Sequence, residues 1–259
     1  HYLGQIIRLI DSLQSSVKRF PETIVLALGV VVVGIMMNHL DYHDTLQMQN
    51  LRKYLVVFIL GIPLMTAGVL FSERMLFSRT RRLVADGIIA AFLVGYYLFI
   101  PEEMGSEFMI RYMLLLTSAF LAFTLVPFFL NRENYSRYVL KLPTHFFITI
   151  LFSLVLYLGI NAIIFTIEQL FEVNIDNDIH LDTFIIIAGL FAVTHYLGHV
   201  PDVEEGVSDE YYPQVLRVLF IYIIVPLLSV YTVILYAYFV RLILQREFPI
   251  NMMGHLVVW

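Results

Sequence analysis

The sequence predicts an all-α membrane protein, with about seven transmembrane helices preceded by an amphipathic interfacial helix. The first observation behind this is composition. The 259 residues are 59% hydrophobic and 14% charged, with mean hydropathy +0.81, whereas a soluble domain carries about 25% charged and about 45–50% apolar residues. Such a chain cannot cover itself with polar surface, so lipid has to be part of its solvent. The second is the recurrence of apolar runs near the ~20 residues that span a ~30 Å hydrocarbon core. The third is the absence from these runs of the two-residue alternation of a barrel strand. In lipid every backbone group needs an internal partner, which leaves the helix.

Residues 1–20 open the chain as a separate element. Leu3, Ile6, Ile7, Ile10, Leu13, Val17 and Phe20 recur at three- and four-residue steps, with Gln5, Arg8, Asp11, Gln14, Ser15, Lys18 and Arg19 on the other side. That is an amphipathic helix, suited to the headgroup region or to packing on the protein itself. No cleavable signal peptide is visible, because these residues hold no continuous apolar core. Pro21 then turns the chain into a polytopic bundle, residues 21–259. Its apolar runs fall at roughly 22–40, 54–72, 83–100, 109–130, 144–171, 183–200 and 215–244. The sixth is short enough to be tilted or re-entrant, and the fifth and seventh are long enough to tilt or project. His1 is not a methionine, and His255 to Trp259 read as the start of another apolar segment, so the natural chain is expected to continue.

Lys and Arg in the short loops set orientation. With the N-terminus inside, eleven of the 16 (Arg8, Lys18, Arg19, Arg74, Arg79, Arg81, Arg82, Arg132, Arg137, Lys141 and Arg217) are cytoplasmic. Arg52, Lys53, Arg111, Arg241 and Arg246 fall outside. If the sixth run does not cross, the seventh reverses and Arg241 and Arg246 move inside. The outer loops collect acid: Glu102, Glu103, Glu107, then Glu172, Asp176, Asp178 and Asp182. A solvated surface is their ordinary reading. The formal charge is −5 with no basic stripe, so there is no footprint for nucleic acid. The chain has no cysteine, which excludes disulfides, thiolate metal sites and cysteine nucleophiles.

The fifth run carries the most informative polar pattern. Thr149, Ser153, Tyr157 and Asn161 step by four, and Glu168 follows seven later. They span roughly 120° of helix surface and form one stripe, which is costly against lipid and therefore belongs against protein or a wet cavity. Interhelical hydrogen bonds of about 0.6 kcal/mol each account for such a stripe, and so does a substrate path. The seventh run has a second stripe, Tyr222, Ser229 and Tyr236, with Thr232 beside it and Tyr231 and Tyr238 opposite. Pro63, Pro127 and Pro226 lie inside apolar runs, where each removes a helical hydrogen bond and kinks its helix.

His195 and His199, an i,i+4 pair followed by Asp202, are candidate metal ligands. They lack the glutamate of a zinc-protease helix, and hydrogen bonding to loop groups satisfies them equally well. Asp86 is expected to pair with Arg79, Arg81 or Arg82 at the membrane edge. His39, Asp41, His43 and Asp44 form a less specific cluster. No phosphate-cradling glycine loop and no nucleophile elbow are present, which argues against a conventional hydrolase or a nucleotide-driven pump. No cofactor is implied.

The segments Tyr212-Pro-Gln-Val-Leu-Arg217 and Tyr222-Ile-Ile-Val-Pro-Leu227, then Tyr231, Ile234-Leu-Tyr-Ala-Tyr238 and Phe248-Pro249, resemble the DUF4153 family of bacterial multi-pass membrane proteins. The stretch from Val126-Pro-Phe-Phe129 to Phe171 is similar to it as well. The family often has tryptophan before the proline that is Pro249 here, where this chain has Phe248. The resemblance implies a bacterial cytoplasmic (inner) membrane and no reaction. The residues favour a bundle enclosing a polar-lined cavity for a small molecule or a lipid, with the surrounding membrane lipid as its other partner. Two other readings stay open: an anchor or sensor acting through a partner, and a membrane-embedded metalloenzyme built on His195, His199 and Asp202.

Overall fold

The computed structural model describes residues 16–40, 45–75, 79–102, 104–126, 132–200 and 223–245. Among these the chain is helical, with no strand, as lipid requires of a backbone that must satisfy itself. The helices are α1 (Pro21–Asn38), α2 (Thr45–Arg74), α3 (Arg79–Leu98), α4 (Ser106–Leu125), α5 (Arg132–Phe171), α6 (Asp178–Gly198) and α7 (Val225–Gln245). Each predicted apolar run is helical where it is described.

Five helices contain a stretch long and apolar enough to cross a membrane: α1, α2 over Leu46–Glu73, α4, α5 over Leu142–Phe171, and α6. α3 carries Arg79, Arg81, Arg82 and Asp86 in its first turns, and the apolar part of α7, Val225–Arg241, is shorter. α5 has 40 residues, about 60 Å at 1.5 Å per residue, twice the hydrocarbon thickness. It absorbs Pro143 in its interior and begins well before the apolar run that announces it. Most of the expected interfacial helix, residues 1–15, lies outside the described residues. Its last turn, 16–19, ends on Ser16 and Phe20, both buried in the protein.

The chain divides into two compact units, His1–Leu154 with Asn177–Tyr211, and Val155–Asp176 with Tyr212–Trp259. In the first unit successive helices run in opposite directions, and cross-contacts show it. Arg19, ahead of α1, meets Glu73 at the end of α2, and Thr23 meets Thr66. Tyr54 of α2 stacks on Tyr97 of α3. The hydroxyl of Tyr112 in α4 donates to the Val56 carbonyl of α2 at 3.1 Å, so those two run parallel. α6 runs against α1, from Asp182 beside Asn38 and His39 to Val200 beside Arg19. It is therefore a helix that runs alongside α1 from end to end and is long and apolar enough to cross a membrane.

Small residues set the closeness of this packing. A Cβ on Gly68 would sit 2.4 Å from Ile89 Cδ1, and one on Gly189 would sit 2.8 Å from Val31 Cγ2. Gly189 belongs to a π turn, Ile187–Phe191, in the middle of α6. A π turn widens the helix and leaves carbonyls poorly served; here the Thr194 hydroxyl reaches those of Leu190 and Phe191 at 2.7 and 3.0 Å.

The two ends of the first unit are held by polar clasps. At one, Arg19 donates Nε and Nη2 to Glu73 and Nη1 to the Val200 carbonyl at 2.8 Å, while Arg82 donates to the Arg19 carbonyl. Asp86 pairs with Arg82, one of the three expected arginines, at 3.9 Å, and Glu22 approaches the same guanidinium at 3.8 Å. At the other end Asp182 accepts from Asn38 Nδ2 and bonds His39 Nε2; residues 41–44 lie outside the described residues.

In the second unit α7 runs parallel to the second half of α5. Leu227 packs where Gly159 leaves no room for a side chain, and Arg241 donates to the Leu170 carbonyl at 3.1 Å while covering the Phe171 ring. Glu172 then ends α5 with φ +52°, the left-handed conformation that usually closes a helix on glycine.

Candidate functional site: an apolar cavity beside a histidine array

The first unit encloses a cavity of about 300 Å³, at the small end of ligand pockets. α2 contributes Ile62, Pro63 and Thr66; α4 contributes Leu116, Phe120 and Phe123; α5 contributes Phe146, Thr149 and Ile150. Ala192, Val193, Tyr196 and Leu197 of α6 complete it. These α6 residues directly follow the π turn, whose extra residue rotates them relative to the clasp at Asp182. Pro63 is in the wall, so one of the three expected kinks does border a cavity. Pro127 lies outside the described residues, and Pro226 occupies the second position of α7, in the other unit.

The wall is apolar almost throughout. Thr66 directs its hydroxyl to its own helix, onto the Ile62 carbonyl at 2.7 Å, and Thr149 directs its own to α6. The outward side is formed by Phe120, Phe146 and Ile150, which are 42%, 43% and 46% exposed. In a membrane that side meets acyl chains.

Behind Thr149 stand three imidazoles. Thr149 Oγ1 and His195 Nδ1 lie 2.8 Å apart and share a hydrogen bond. Both residues are buried, at 3% and 5% exposure. Thr66, Thr117, Thr166, Thr183, Thr194 and Thr232 bond back to the carbonyl four residues earlier, whereas the bond of Thr149 crosses between helices. His199 Nδ1–H donates to the His195 carbonyl at 2.8 Å, and since a carbonyl only accepts, that nitrogen carries the proton. The His199 ring stands 4.5 Å from that of His195 and 5.2 Å from that of His145. Phe152 and Phe191 enclose His195 from the remaining sides.

His145 was not singled out from the sequence. The signal was present: it precedes Thr149 by four and extends the α5 stripe by one turn. Along that stripe, Thr149 and Ser153 belong to the first unit, and Ser153 Oγ is buried with no hydrogen-bond partner among the described residues. Tyr157, Asn161 and Glu168 belong to the second, where they are half-buried and Asn161 Nδ2 donates to the Tyr157 carbonyl at 2.8 Å. Only Thr149 of the stripe lines this cavity, whose wall is apolar with its polar groups behind it.

A scan of protein-family models places residues 20–254 in a domain of unknown function, DUF4153. The chain belongs to the DUF4153 family. No curated protein and no solved structure matches it. In this DUF4153 chain the second stripe does not turn inward: Ser229 and Tyr236 are exposed, and Tyr238, on the opposite face, packs on Phe171. Tyr222 lies outside the described residues, as does Asp202. Among the described residues no group of three or more His, Asp or Glu could hold a metal ion. His195 and His199 of the DUF4153 chain present ring faces to each other, with interplanar angle 36°, and their Nδ1 atoms are engaged by protein.

Proposed function

We propose that this DUF4153 protein binds the apolar part of a small molecule or lipid in the cavity of its first unit, loaded sideways from the bilayer. The observation that carries this is the cavity itself, walled by hydrocarbon and closed on its outer side by Phe120, Phe146 and Ile150, which are exposed where acyl chains would lie. A pocket with no polar lining holds methylene groups by van der Waals packing, since a chain arriving from the bilayer is already out of water, and would not retain an ion or a hydrophilic solute. We place the protein in the bacterial cytoplasmic membrane with seven crossings and a cytoplasmic N-terminus. The loop charges support that orientation, and the reversal of direction at each successive helix of the first unit suits repeated crossings.

The test is photolabelling of the purified chain with an alkyl diazirine in lipid bicelles, mapped by mass spectrometry. Labels should concentrate on Phe120, Phe146 and Ile150. Ala192→Phe, which places a ring in the cavity, should abolish that concentration. Labelling spread evenly over exposed residues such as Phe165 and Val233, and unchanged by Ala192→Phe, would refute the proposal.

A further inference from the structure

A molecule that enters the cavity from the bilayer is already out of water, so the hydrophobic effect gives it no reason to leave the lipid. Selection has to come from a contact that acyl chains do not offer, and the wall supplies one. Phe120 and Phe123 of α4, Phe146 of α5 and Tyr196 of α6 all line the space, and their rings touch in series. The centroids of Phe120 and Phe123 are 5.9 Å apart with the rings inclined at 52°. Phe123 and Tyr196 stand at 6.2 Å and 61°, and Tyr196 and Phe146 at 6.1 Å and 84°. These are separations and inclinations at which aromatic quadrupoles attract, edge against face. Ring pairs elsewhere in the same unit are different. Tyr54 with Tyr97, Phe92 with Tyr96 and Phe108 with Tyr112 lie at 19°, 20° and 12°, so each pair spends ring faces on itself. The cavity rings turn in different directions and offer both edges and faces to the space they border.

The volume and the remaining wall narrow the guest further. At about 300 Å³ the cavity is twice the size of the ~150 Å³ cavity that takes up one benzene, which leaves room for two fused rings. The Thr66 hydroxyl is turned to the Ile62 carbonyl and that of Thr149 to His195, so neither is directed at a guest. Aromatic cages also take ammonium groups. Here such a group would be buried with no carboxylate among the described lining residues to offset its desolvation. We propose that the ligand is an uncharged aromatic group of about two fused rings, free in the bilayer or borne on a lipid chain, held by the rings of Phe120, Phe123, Phe146 and Tyr196. This rests on the reading of the cavity above and adds the chemistry of its occupant. Phe120 and Phe146 are 42% and 43% exposed, so an arriving ring meets aromatic partners at the outer side, while Phe123, at 2%, is the deepest of the four.

The experiment follows bound fluoronaphthalene by fluorine NMR on the full chain in detergent, with competitors counted by their concentration in the micelle. Naphthalene and decalin share a two-ring carbon skeleton and differ in aromaticity. Naphthalene should compete about tenfold more tightly than decalin, a difference of about 1.4 kcal/mol, and more tightly than trimethylphenylammonium. Dodecylnaphthalene competing better than naphthalene identifies a lipid-borne group, and the reverse a free one; both agree with the proposal. Phe120→Leu combined with Phe146→Leu keeps the wall apolar and removes two of the four rings. It should weaken naphthalene about threefold and leave decalin unchanged, whereas a merely structural role would move both alike. Equal or tighter binding of decalin by the wild type, tightest binding of the cation, or equal losses for both hydrocarbons in the double variant overturns the proposal while the cavity reading stands. No saturable fluoronaphthalene binding, or binding of both hydrocarbons untouched by Ala192→Phe, overturns the cavity reading and this proposal with it.

Discussion

Replacing Thr149 with valine removes one hydroxyl and keeps the shape of the side chain, so it isolates the bond to His195. Interhelical hydrogen bonds in membrane proteins average about 0.6 kcal/mol and reach about 1.7. A buried polar group left without a partner costs about 1–3 kcal/mol. Thr149 and His195 are 3% and 5% exposed and 2.8 Å apart, and the cavity side of the pair is hydrocarbon. No solvent is therefore at hand to replace the hydroxyl, and Thr149→Val should cost about 1.5–2 kcal/mol. His195→Phe should cost less, because the freed Thr149 hydroxyl can turn back to the carbonyl four residues earlier, as Thr66 and Thr194 do. The double variant leaves nothing orphaned and should fall short of the sum by about 1 kcal/mol. Reversible unfolding in mixed micelles, followed by circular dichroism, measures all three. A Thr149→Val effect within about 0.3 kcal/mol of wild type, or a double variant that is additive, would show that the bond does not couple α5 to α6 and refute the reasoning.

Three other outcomes follow from named groups. Arg19→Met leaves Glu73 and the Val200 carbonyl without their donor, and should cost about 3 kcal/mol; adding Glu73→Gln should restore part of it in the same unfolding assay. Glu172→Gly relieves a left-handed backbone at the end of α5 and should raise stability by about 1 kcal/mol, with a loss indicating that the Glu172 side chain has a role of its own. Single cysteines at Thr80 and Glu102, in a chain that has none, report orientation: an impermeant thiol reagent outside intact cells should label position 102 and spare 80, and the reverse pattern would invert the topology.

The contrast between α6 and the fifth-helix stripe shows where sequence reasoning reached and where it stopped. Hydropathy alone located the helices among the described residues, because a run of apolar residues in lipid has one way to satisfy its backbone. It also placed the charged residues toward the ends of the helices, since charge is excluded from the core whatever the neighbours are. The α5 stripe was legible as a polar face at four-residue spacing. Its destination was not, because which helix a face meets is a non-local matter. α5 is shared between two compact units, so its upper part, Thr149 and Ser153, serves one and Tyr157 to Glu168 the other. The length of α6 was underestimated because Asp178, His180 and Asp182 lower its hydropathy at one end, where the Asp182 carboxylate and the Asp178 carbonyl clasp α1 through Asn38 and His39.

What the sequence determined by itself was the solvent and the secondary structure, both of which follow from composition and from the requirement that buried backbone be paired. Only the tertiary structure decided what the polar residues do. The pairing of Thr149 with His195 spans 46 positions, and the stacking of His145 on His199 spans 54. No local period connects these partners; they meet because α5 and α6 run antiparallel and the π turn at Ile187–Phe191 rotates the end of α6. The cavity likewise belongs to no segment, being lined jointly by residues of α2, α4, α5 and α6.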